Sequence, residues 1–244
     1  FGLYYAYIDQ VNTIFGSEDV KPKFVAAQDG KQNSQIHLIQ AKMNYNPLLN
    51  ATLYGYLMDF EDLSAWSNQT YGLRLTGKKN NFRYVAEYAK QSEYAEQPIN
   101  YDADYYGLEL GYSITDKGSA LGEITLGYEV LGSDDGKIAF QTPLATKHKF
   151  NGWADLFLTT PVNGLTDLYI SSSFNVFGKG KLGTELHQYR SDEKNMDYGQ
   201  EFSISYSHAL PIKGLSALAK LSDYQAEEFS VDTQKLWLQM DYKY

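Results

Sequence analysis

Nine charged side chains stand singly in segments where apolar and polar residues alternate: Arg74, Arg83, Glu87, Glu109, Glu123, Glu129, Glu185, Lys220 and Lys235. Successive side chains of a strand point to opposite faces, so charges at this spacing share the face that the apolar residues avoid. Charges of both signs lining a passage set up a transverse field that orders water and sorts solutes. The plainer reading is cross-strand neutralisation, which only makes a polar interior tolerable. Sequence alone leaves both readings open.

A second group, Lys147, His148, Lys149, Phe150 and Trp153, falls in a connection running from Gly132 to Asn163. That length exceeds a simple hairpin loop, and loops of this size are often functional. The sequence predicts that it folds inward and narrows a pore. Phe150 and Trp153 would pack it against the wall, and the basic trio would bias the field toward anions. The alternative is a loop lying over the mouth with no role in selection.

Catalysis and metal binding find little support. His37, His148, His187 and His208 lie far apart in sequence. Glu185 and His187 share a face at strand spacing, but no recognisable nucleophile accompanies them. There is no Gly-rich phosphate loop and no metal-ligand spacing. Asp102, Asp104, Asp134 and Asp135 could offer oxygen ligands to Ca²⁺ or bridge lipopolysaccharide through divalent ions; solvated loop acids are the simpler reading. We expect no metal site, no cofactor and no enzyme activity.

The elements that position these residues read as strands. About twelve segments of roughly ten residues alternate apolar with polar. The last is the clearest: Leu236, Leu238, Met240, Tyr242 and Tyr244 share one face, while Lys235, Gln239, Asp241 and Lys243, with Trp237 among them, share the other. Phe202, Ile204 and Tyr206 alternate with serines, and Tyr106, Leu108, Leu110 and Tyr112 with Glu109 and two glycines. The segments near Tyr4–Val11, Ile36–Asn46 and Thr52–Phe60 leave their faces undecided. A soluble sandwich also alternates, but its solvent face would carry many Lys and Glu residues. Here the polar face is Ser, Thr, Gly and Tyr with isolated charges.

Composition agrees. The 244 residues, 43% hydrophobic, contain no run of the roughly 18 apolar residues that a membrane helix needs. A barrel needs only every second residue apolar. Of the aromatic residues, 22 are Tyr, whose apolar ring and polar tip suit a membrane–water boundary. There is no Cys, and the net charge of −9 argues against nucleic acid as a partner.

The connections alternate in length. Short turns fall at Asn46–Asn50, Gly77–Asn81, Thr115–Ser119, Gly178–Lys181 and Pro211–Gly214. Longer loops fall at Gly16–Ser34, Glu61–Asn68, Gln91–Asp102, Gly132–Asn163, Ser191–Met196 and Gln225–Val231. This predicts an all-β, antiparallel, up-and-down transmembrane β-barrel of the Gram-negative outer membrane, with short periplasmic turns and long extracellular loops. The C-terminal strand, ending in Tyr244, fits the signal read by the barrel-assembly machinery. The expected surroundings are outer-membrane lipid and lipopolysaccharide.

The segment from Phe140 to Pro161, followed by Asn163–Tyr169, is distinctive. With Tyr5–Gly16, Ala86–Gln91 and Tyr101–Tyr106, it resembles outer-membrane proteins of the alginate-export-like family. That resemblance implies a porin-type barrel of about eighteen strands, of which this chain would be the C-terminal two-thirds. The chain starts at Phe1 without initiator Met or signal peptide, which reads as processed, trimmed or a fragment. A barrel closed by these strands alone is the alternative. The resemblance also implies polysaccharide passage, although the basic lining of an alginate exporter has no residue-by-residue match here. Three functions follow as expectations: passive diffusion of small hydrophilic solutes or oligosaccharides, export of an acidic polysaccharide, or a plugged structural or adhesive barrel.

Overall fold

The computed structural model describes residues 1–12, 30–145, 148 and 150–244. Fourteen strands follow in chain order: β1 (Gly2–Asn12), β2 (Lys31–Asn46), β3 (Leu49–Phe60), β4 (Asn68–Lys79), β5 (Phe82–Ser92), β6 (Asp102–Asp116), β7 (Ser119–Leu131), β8 (Ser133–Asp134), β9 (Ile138–Ala139), β10 (Leu165–Val176), β11 (Gly180–Arg190), β12 (Asp197–Ala209), β13 (Leu215–Ala226) and β14 (Thr233–Tyr242). Twelve of them form one sheet in simple sequence order, every ladder antiparallel; β8 and β9 pair only with each other. The predicted twelve-stranded up-and-down arrangement is therefore present. Among the described residues β1 and β14 remain the two edges of the sheet, so closure by these strands alone is not what the chain does.

The turns and loops divide as predicted. β2 joins β3 through Pro47–Leu48, β4 joins β5 through Asn80–Asn81, and β6 joins β7 through Lys117–Gly118. These tight ends use left-handed backbone at Asn80, Lys117 and Gly118, as short hairpins require. The opposite end carries the long connections, one of which contains a 3-10 turn at Ser64–Trp66. The predicted Gly16–Ser34 loop lies mostly outside the described residues.

One sheet face is apolar and bare. Leu108, Leu110, Leu126, Leu168, Ile170, Leu186 and Phe202 are each about half exposed on it. A monomer in water rarely shows an apolar face of this extent. Aromatic side chains bound it at both ends. Tyr88 stands opposite Tyr106 at the loop end with ring centroids 5.3 Å apart, and Phe82 opposite Tyr112 at the turn end at 4.8 Å. Tyr106 and Tyr112 are six residues apart on one strand, roughly 20 Å, close to the height of a hydrocarbon band.

The core sits on the other face. Phe140, Ala154 and Phe157 of the β7–β10 connection are buried against Tyr189, Tyr198 and Tyr224 of β11, β12 and β13. Phe157 lies 4.5 Å from Tyr189 and 5.2 Å from Phe229 between ring centroids. A loop thus supplies apolar side chains that a helix or second sheet would supply in a soluble domain.

Candidate functional site

Inward side chains line up in rows because the register is regular. One row runs Arg74, Glu87, Gly107, Glu129, Asp167 and Tyr189 across β4–β7, β10 and β11. A second runs Arg83, Gly111, Thr125, Ser171, Glu185, Ser203 and Ser222, and reaches Lys235 on β14. All nine charges singled out in the sequence face this side.

Opposite signs meet as neighbours on the wall. Arg74 pairs with Glu87. Arg83 donates to Glu109 at 2.8 Å, to Glu123 at 2.7 Å and to Thr125 at 2.8 Å. A Cβ on Gly111 would meet the Arg83 side chain at 2.7–2.9 Å, so the glycine leaves the guanidinium its path across the strand. Tyrosine hydroxyls hold three of the carboxylates: Tyr54 donates to Glu87 at 2.7 Å, Tyr105 to Glu129 at 2.6 Å and Tyr169 to Glu109 at 2.7 Å. These tyrosines turn inward, unlike Tyr71, Tyr88, Tyr106 and Tyr128 on the outer face.

The connection from Gly132 to Gly164 lies across this wall and is fixed at four places. Gln91 and Gln141 exchange hydrogen bonds, the Gln141 backbone N–H donating at 2.8 Å and its carbonyl accepting at 2.9 Å. Tyr101 donates to the same Gln91 at 3.1 Å, and burial raises its phenol above the ordinary tyrosine range, so it stays a donor. Asn151 donates to Glu129 at 2.7 Å and to Asp167 at 3.3 Å. Glu201, almost fully buried, accepts from the backbone N–H groups of Trp153 (2.5 Å) and Ala154 (3.2 Å) and from the hydroxyls of Ser203 and Ser222 (2.8 Å each). Asp155 receives Lys235 Nζ at 3.0 Å and lies 2.5 Å from His148 Nδ1. Gly152 makes the close approach possible: its φ is +84°, and a Cβ there would collide with Tyr189 and Glu201.

His148 Nε2 lies 2.9 Å from Lys220 Nζ. An ammonium has only hydrogens to give, so Nε2 accepts and Nδ1 carries the proton toward Asp155. Lys220 also sits over the Trp153 ring at 4.2 Å and the Trp237 ring at 5.1 Å. The basic trio is therefore represented by His148 alone, because Lys147 and Lys149 lie outside the described residues. The sequence assigned wall packing to Phe150 and Trp153. Trp153 covers Lys220, Phe150 is half exposed, and Phe140 and Phe157 are buried aromatic side chains of this connection seated in the wall.

Among the described residues, two cavities open on the inner face beside the loop. One, of about 480 Å³, lies between the loop and β2–β7; its lining includes Leu38, Tyr54, Tyr56, Phe140 and Leu144. The other, of about 560 Å³, lies toward the turn end; its lining includes Arg83, Glu109, Asp167, Glu185 and His187. Arg74, Glu87, Tyr105, Glu129, Phe150 and Asn151 line both, and so form a waist between them.

Sequence reading missed Gln91, Asn151, Asp155, Phe157, Asp167 and Glu201. Asp167 and Glu201 carried a signal: each is an acid at an inward strand position, like Glu185. Asp167 binds His187 Nδ1 at 2.8 Å, and Glu185 approaches Nε2 at 3.4 Å. The considered Ca²⁺ sites do not assemble: Asp134 accepts the Asp102 backbone N–H at 3.4 Å, Lys90 pairs with Asp102, and among the described residues no group of three or more candidate ligands forms.

An antiparallel, sequential sheet with a bare apolar face, a polar inner face and an inward loop defines the wall of a porin-type β-barrel. Among solved structures, Pseudomonas aeruginosa OccK3 (OpdO) matches with a TM-score of 0.65 at 13% identity, over 88% of this chain and 57% of its own. The NanC porin matches with a TM-score of 0.42 at 6% identity, over 86% of this chain and 94% of its own. The chain spans a little over half the length of OccK3, and the likeness is one of fold. No family model and no curated protein sequence matches it.

Proposed function

We propose that this chain forms the wall of a Gram-negative outer-membrane channel for passive diffusion of small hydrophilic solutes or oligosaccharides. The observation that carries the reading is the inward loop, which leaves an aromatic-lined cavity and a charged one joined at a waist instead of filling the interior. The bare apolar face would meet lipid, and the aromatic rows its two boundaries. The long loops would lie outside, beside lipopolysaccharide. The C-terminal strand β14 would be the segment handled by the assembly machinery. Unpaired strand edges are costly in hydrocarbon, so the proposal includes further strands pairing with β1 and β14.

Membership of the alginate-export-like family belongs to this proposal on the strength of the Phe140–Pro161 segment. Export of an acidic polysaccharide is the weaker reading, because carboxylates outnumber guanidiniums beside the waist. Swelling of liposomes carrying the full-length protein tests the channel. Sugars of increasing size should enter up to a cut-off; no swelling with correctly folded protein would sink the proposal and leave the plugged, loop-binding barrel.

A further inference from the structure

The lining beside the waist has a charge opposite to that of the loop's basic trio. Five carboxylates, Glu87, Glu109, Glu129, Asp167 and Glu185, line the 560 Å³ cavity against two guanidiniums, Arg74 and Arg83, for a net of −3 among the described residues. Counting His187 as imidazolium leaves −2. Both guanidiniums are engaged on the wall, Arg74 with Glu87 and Arg83 with both Glu109 and Glu123. The positive charge is thus locally compensated and the surplus is acidic.

Glu185 differs from its neighbours. Glu87, Glu109 and Glu129 each receive a short bond from a tyrosine hydroxyl, and Asp167 is fully buried. Glu185 makes a 3.4 Å approach to His187 and keeps 28% of its side chain exposed on the cavity. A passing ion can reach this carboxylate without breaking a short hydrogen bond.

The chamber on the other side of the waist gives an independent indication. Tyr54 and Tyr56 stack at 4.9 Å, Tyr105 lies 5.4 Å from Phe140, and Phe150 adds a half-exposed ring at the waist. Aromatic faces carry a negative potential that attracts cations and disfavours anions. Apolar neighbours such as Leu38, Met58 and Leu144 add room for a hydrocarbon body.

We infer that the passage prefers cations, that its favoured organic solute is a small ammonium ion with an apolar or aromatic body, and that Glu185 is a specificity-determining residue. This rests on the channel reading above. A solute entering from the loop side lays its body against the aromatic chamber, crosses the waist beside the neutral Arg74–Glu87 pair, and presents its ammonium to Glu185. An anion of the same size meets the aromatic faces and the acidic cavity unfavourably at both steps.

The test is the reversal potential of the full-length protein in planar bilayers under a KCl gradient. Influx of phenethylammonium and phenylacetate into liposomes, two ions of similar size and opposite charge, accompanies it. K⁺ should permeate better than Cl⁻, and the amine faster than the carboxylate. One charge about 6 Å from the permeant ion, at water-like screening, is worth a ratio of about threefold. The same charge disfavours the anion by an equal factor, so Glu185→Gln should lower the cation-to-anion ratio by about tenfold. Chloride selectivity, or equal influx of the two probes, would overturn the inference while leaving the channel intact. If K147Q/K149Q abolished a chloride selectivity, the lysines would be the selecting residues. Absence of any conductance would overturn the channel reading and this inference together.

Discussion

Glu201→Ala should release the inward loop without unfolding the wall. The carboxylate is fully buried, makes no ion pair among the described residues, and accepts two loop N–H groups and two wall hydroxyls. Hydrogen bonds to a charged group contribute about 1.5–3 kcal/mol each. Losing the two loop bonds therefore weakens docking by about 3 kcal/mol at the low end, a shift of roughly a hundredfold in the docked-to-released ratio. Phe157, seated among Tyr189, Tyr198 and Phe229, holds the same segment. Adding Phe157→Ala removes a further ~3–5 kcal/mol. Single-channel recording is the assay, with heat-dependent gel mobility confirming that the barrel is folded. Glu201→Ala should give larger and noisier openings, and the double variant a persistently wider channel. Glu201→Gln keeps an oxygen for both N–H groups and should restore much of the quiet behaviour. A folded double variant with unchanged conductance and noise would refute the assignment of the loop as the width-setting element.

Three further outcomes follow. Gly152→Val places a side chain where Tyr189 and Glu201 already stand, on backbone of positive φ; it should displace the loop and alter conductance as Glu201→Ala does, read by the same recordings. Arg83→Ala leaves Glu109 and Glu123 without their guanidinium and should raise the K⁺-to-Cl⁻ permeability ratio by about tenfold, measured as a reversal potential. Leu126→Arg, near the middle of the bare outer face, should cost about 2–4 kcal/mol of stability in a bilayer, measured by denaturant titration in lipid; the same substitution would be nearly harmless if that face met water.

The wall was legible in the sequence because a strand's period of two acts on every residue at once. The face of β14, from Leu236 to Tyr242, and the alternation of short turns with long loops both follow from it. The faces of β1, β2 and β3 were not legible: Ile36, Met58 and Phe60 are buried inward beside Trp66, so apolar residues occupy both sides there and the alternation blurs. Tyrosine misled in part. Its composition suggested the membrane boundary, which fits Tyr88 and Tyr106, whereas Tyr54, Tyr105 and Tyr169 turn inward and donate to carboxylates. The loop's length marked it as functional, but neither its course nor its attachment was legible. The contacts of Gln91 with Gln141, and of Glu201 with Trp153 and Ala154, join residues about fifty positions apart through backbone groups that carry no sequence signal.

The most direct test of the central claim is single-channel conductance of the full-length protein beside the same protein lacking Thr142–Asn151. The deletion removes the waist residues Phe150 and Asn151 contributed by the loop and spares the wall. Steady openings are expected from both, with a larger conductance after deletion. Equal conductances would contradict the loop as the constriction, and silence from both folded proteins would contradict the channel itself.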